Sequence, residues 1–101
     1  MTPKFVKIDV ASSGDNTIVS AVEGKKIRVL QYALVCSDAV TVQWKSSGGT
    51  ALSGAMSFAA NGGISCPFSP VGLFETAIGE GLVLNLSAAV QVSGHLVYVE
   101  V

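Results

Sequence analysis

Charge is what this sequence has least of. Only 13% of its 101 residues are Asp, Glu, Lys or Arg, against about 25% in an average globular domain. A chain this short has much surface for its volume and normally covers it with ionised side chains. Too few of them implies that part of the outside is covered by other protein. The shortage is uneven. Lys4, Lys7, Lys25, Lys26 and Arg28 precede position 30, Lys45 is the last base, and Glu75, Glu80 and Glu100 are the only charges after it. With a net charge of −1, the chain lacks the basic footprint that phosphate binding demands, so nucleic acid is not an expected partner.

Long apolar runs are missing as well. None approaches the roughly 18–20 residues that cross a bilayer, so no membrane partner is expected. The opening MTPKFVKIDV has neither the apolar core nor the cleavage site of a secretion signal, which points to synthesis in the cytoplasm. Without an export signal, the two cysteines, Cys36 and Cys66, are expected to be free rather than bridged.

Groups for chemistry are equally scarce. His95 is the only histidine, so any catalytic triad would have to be built on it. It follows a Ser-Gly pair among Leu96, Val97 and Tyr98, a strand-like setting with no nucleophile-elbow motif nearby. Two cysteines and one histidine, far apart, lack the spacing and the fourth ligand of a zinc site. Glu75 and Glu80 flank a Gly-rich turn and read as solvated charges rather than as the carboxylate pair of a glycosidase. The glycine pairs precede neither a helix nor a lysine, so no phosphate loop is present. The expectation is a protein with no catalytic residues, no cofactor and no metal.

What the sequence does have is alternation with a period of two. KFVKIDV sets Val6, Ile8 and Val10 against Phe5, Lys7 and Asp9. SSGDN reads as a turn before TIVSAV, with Ile18 and Val22 on one side, and EGKK breaks the chain. KIRVLQYALVC is apolar on both faces, as in a doubly covered strand or one with a bulge near Val29–Leu30. In VTVQW, Val40, Val42 and Trp44 point one way and Thr41 and Gln43 the other. SSGGT is a turn, and TALSGAMSFAA is the only stretch with room for a helical turn. Asn61-Gly62 signals a hairpin between FAA and ISCPF. LVLNLS carries Leu82, Leu84 and Leu86 on one face. AVQVSGHLVYVEV changes face near Ser93-Gly94, the mark of a bulge or bend. This spacing predicts one domain over residues 1–101: all-β, an antiparallel β-sandwich of jelly-roll type with about eight or nine short strands.

The segment FSPVGLFETA stands apart. Pro67 and Pro70 keep it out of any central strand, yet it carries Phe68, Val71, Leu73 and Phe74. Exposed apolar surface costs about 25 cal/mol per Å². The segment therefore covers an open end of the sandwich, meets another subunit, or does both. Thr2, Pro3 and Lys4, within an N-terminal arm over residues 1–4, are further candidate contacts.

From Trp44 through SGGTALSGAMSFAANGG and on through FSPVGLFETAIGEGLVLNLSAAVQVSGHLVYVEV, the chain resembles small virion proteins of tailed bacteriophages, above all capsid decoration (cement) proteins. The resemblance runs along most of the chain and is strongest after Trp44. It implies a jelly-roll-like sandwich that forms a homodimer or homotrimer, sits on the capsid surface of the virion and has the major capsid protein as its partner. Thr2, Pro3, Lys4, Phe68, Pro70, Val71, Leu73 and Phe74 are the residues expected at its interfaces. A second expectation, from the tail and fibre domains that share this pattern, is receptor or carbohydrate binding through an exposed aromatic such as Trp44 or Tyr98.

Overall fold

A computed structural model describes residues 2–101. Among them are nine strands and no helix: β1 (Lys4–Val10), β2 (Gly14–Val19), β3 (Ile27–Cys36), β4 (Val40–Ser46), β5 (Met56–Phe58), β6 (Gly63–Cys66), β7 (Phe74–Glu75), β8 (Leu82–Leu86) and β9 (Val92–Glu100). They form two antiparallel sheets. The first runs β1-β9-β3-β6, with β7 beside β6 on the same edge of β3, and the second runs β2-β8-β4-β5. The first four strands alternate between sheets, and β8 and β9 return to lie beside β2 and β1. That is the order of a jelly roll, two Greek keys wound together. Among the described residues, no helix is long and apolar enough to cross a membrane.

Alternation puts the expected faces inside. Ile8, Leu34, Val92 and Leu96 of the first sheet meet Val42, Trp44, Leu84 and Leu86 of the second, all essentially inaccessible. Trp44 joins the layers. Its ring centroid lies 5.2 Å from Tyr32 and 5.8 Å from Phe74, both on the first sheet. The Trp44 indole N–H is buried without a hydrogen-bond partner. Orphaned polar groups of this kind cost about 1–3 kcal/mol.

Of the two readings of the two-faced run, β3 carries the bulge at Val29–Leu30: Val29 pairs with Tyr98 and Gln31 with Val97, which leaves Leu30 over. The freed carbonyls hold the next loop, with Ser69 N–H donating to Leu30 O (2.9 Å) and Leu73 N–H to Val29 O (2.7 Å).

Four expectations are corrected. First, β2 begins at Gly14 rather than after SSGDN. The Asn16 amide bonds the Ser12 carbonyl at 2.8 Å and the Gly14 carbonyl at 3.1 Å, so a turn-forming residue is satisfied within the strand. Second, the Asn61 turn forms, at φ 63°, but β5 and β6 do not pair. They lie in different sheets, and the turn carries the chain from one layer to the other. Third, residues 50–60 hold β5 and no helix.

Fourth, β9 has no bulge at Ser93-Gly94, because its register with β1 and β3 is unbroken from Val92 to Val97. Glycine is there for close approach. A Cβ on Gly94 would collide with the Ala33 carbonyl and come within 2.8 Å of the Leu34 Cα.

Candidate interaction surface

The two outer faces of the sandwich are built differently. On the second sheet, outward side chains bond one another. Asn85 donates to Asp15 at 2.7 Å, Lys45 lies 3.7 Å from the same carboxylate, and the Thr41 and Ser57 hydroxyls are 3.0 Å apart. Gln43 donates to the Ser53 carbonyl at 3.1 Å. Such a face is already satisfied.

The first sheet turns a barer face outward. Its register sets three rows across the strands: Phe5, Val97 and Gln31; Lys7, His95, Ala33 and Ser65; Asp9, Ser93, Val35 and Gly63. The only ionised pair in these rows is Lys7 and Asp9, 3.6 Å apart and well exposed. A shallow groove of about 340 Å³ runs along β3 and β6 over Ala33, Val35, Gly63 and Ser65. Phe5 is 82% exposed and Val35 54%. Few charges around an exposed aromatic side chain such as Phe5 are what the centre of a contact surface presents.

The loop after β6 continues this character. Phe68 is 57% exposed and Val71 78%, with Pro70 exposed between them, and Ile78 is 64% exposed further on. The loop is nonetheless fixed. Gly72, at φ +94°, packs against the Arg28 side chain so closely that a Cβ would fall 2.6 Å from it. Glu75 is gripped by Arg28 at 2.7 Å and Lys26 at 3.1 Å, and the Arg28 guanidinium foremost holds its carboxyl below the usual range. Leu73 and Phe74 turn the other way and pack on the core. The expected segment thus divides: Leu73 and Phe74 close the end of the sandwich, while Phe68, Pro70 and Val71 face outward.

Thr2 and Pro3 are exposed ahead of β1, whereas Lys4 is already in the strand, opposite Tyr98 and 3.0 Å from Glu100. Phe5 and Val35 were not among the expected contacts. The signal for Phe5 was present in its alternation with Lys7 and Asp9, and for Val35 in the two-faced pattern of its strand.

Groups with chemical potential are dispersed. His95 stands exposed between Lys7 and Ala33. Glu80 is tied elsewhere, accepting from the Ser46 hydroxyl (2.6 Å) and the Gly48 N–H (2.8 Å). Those bonds, Ser46 first, hold its carboxyl below the ordinary value. Burial pushes the Tyr32 phenol up to about 12 and raises the Cys36 thiol. Both cysteines are free. Cys66 pairs with Tyr32, four residues from Cys36 on the same strand, so the two thiols are about 13 Å apart along β3, too far to bridge. Among the described residues, no three His, Cys, Asp or Glu side chains gather as a metal site. Trp44 is inaccessible, and Tyr98 is partly buried against the core. The chain matches no family model, no curated protein and no solved structure.

Proposed function

We propose that this protein is a structural subunit of a tailed-phage virion, a homo-oligomeric decoration or cement protein that binds the capsid surface and stabilises the shell. The observation that carries the reading is the contrast between its outer faces. One is closed by its own hydrogen bonds, and the other exposes Phe5 and Val35 and continues at the β6–β7 loop into Phe68 and Val71. A fixed apolar loop on a rigid sandwich loses little entropy when it docks. Repeated over many copies, binding to the assembled shell but not to its dissociated subunits stabilises the shell by mass action.

The test uses shells of tailed phages stripped of their own decoration protein. Added protein is expected to sediment with the shells and to raise their melting temperature. Phe68→Ser together with Val71→Ser removes two exposed anchors and should weaken binding by about tenfold or more, with the fold intact. Failure to bind any such shell, with no change in shell melting, overturns the proposal.

A further inference from the structure

Three of the four sheet edges are built so that no strand can add to them. β2 is interrupted by a register shift between Thr17 and Val19. β5 has only three residues. The edge of β3 is covered by β6 and β7, of four and two residues, separated by a loop with two prolines. Bulges, shortness and prolines are the ordinary means by which sheets prevent edge-to-edge pairing.

β1 has none of these. It runs for seven residues without proline, and its register with β9 is continuous from Lys4 to Val10. Along its other side no main-chain hydrogen bond is made among the described residues. Lysines on an edge usually discourage pairing, but Lys4 is drawn back to Glu100 at 3.0 Å. Lys7 and Asp9 remain.

From this we infer that β1 is a strand-addition site whose occupant is β1 of a second copy, the two strands running antiparallel about a two-fold axis at Ile8. The charges select that register. Antiparallel pairing keeps like faces together only when the axis falls on a residue of β1. Centred on Ile8, Lys7 of each copy stands opposite Asp9 of the other, Val6 stands opposite Val10, and Ile8 meets its own counterpart. Centring on Lys7 would set lysine against lysine, and centring on Asp9 would set aspartate against aspartate, both unfavourable. Asp9 is prepared for the role. Gln91 donates to one carboxylate oxygen at 2.8 Å, while the other is 3.6 Å from its own Lys7. The contact is isologous and closes at two copies, joining the two first sheets into one continuous sheet.

The inference is independent of what the loop after β6 binds. Its test is the molar mass in solution of the wild type, Lys7→Glu, Asp9→Lys, and the double swap K7E/D9K. The three variants change only exposed side chains, and melting curves at high dilution establish that each protein is folded. The wild type should be a dimer that dissociates on dilution. Each single variant places like charges in opposition twice and should dimerise at least about tenfold more weakly, and the swap should restore the dimer. A wild type that is monomeric at millimolar concentration overturns the inference, as does a trimer. So do single variants that dimerise like the wild type, or a folded swap that stays monomeric. Shell sedimentation run beside it keeps the two questions apart, since a dimer insensitive to Lys7 that still binds shells defeats only the edge pairing.

Discussion

At the scale of single residues, the polar groups that matter are those holding loops rather than those poised for reaction. Glu80 is the clearest. Its carboxylate ties Ser46 and the Gly48 N–H, and the buried Thr76 hydroxyl donates to the Glu80 carbonyl at 2.9 Å. The Glu80 carboxyl is depressed in the folded protein, so its stabilising effect is complete above the ordinary carboxylate value and vanishes as pH falls through the lower folded one. At neutral pH, Glu80→Gln should melt below the wild type, and the gap should close in acid. Thermal scans of both proteins across that range read it directly. This role was not legible beforehand. Sequence places Glu80 in a Gly-rich turn, but only the fold brings Ser46 and Gly48 to it. Gly94 was misread for a related reason. A glycine in a strand pattern announces either a bulge or a close approach, and the neighbour that decides, the Ala33 carbonyl, lies on another strand. Gly94→Ala should therefore destabilise the protein by about 2 kcal/mol through overpacking, measured by urea unfolding.

Among elements, legibility followed the strength of the local pattern. VTVQW and LVLNLS alternate cleanly and became β4 and β8 with the expected faces inside. The two-faced apolar run became β3, and of its two readings the bulge near Val29–Leu30 is the one formed. Where side chains are small or turn-forming, partners decided instead. β2 starts within the expected turn, and the strands on either side of Asn61 separate into different sheets. The β6–β7 loop shows the same division in miniature. Its residues Phe68 to Phe74 were read as one apolar unit, but the bulge carbonyls at Val29 and Leu30 fix its path so that Leu73 and Phe74 turn in and Phe68 and Val71 turn out. Deleting the whole segment would unseat Phe74 from Trp44 and Tyr32. The double serine variant is thus the sharper probe of docking.

For the whole molecule, the jelly-roll order was within reach of the sequence because strand number, strand length and turn spacing constrain a small sandwich tightly. The inequality of its two faces was not, since Thr41, Gln43 and Asp15 look no more satisfied in a list of residues than Ser65 and His95 do. Pairing order has its own consequence for how the protein is made. β1 pairs with β9, and β2 with β8, so the two earliest strands of the fold wait for the two latest. Hydrogen bonding so remote in sequence makes folding slow. The second sheet cannot be completed before β8 has left the ribosome, nor the first before β9 has. A chain lacking Leu96–Glu100 should accordingly show no cooperative melting by circular dichroism, however much of its N-terminal sequence is intact. The two sheets ripen late and nearly together, and only once β9 is in place is there a finished surface for anything else to recognise.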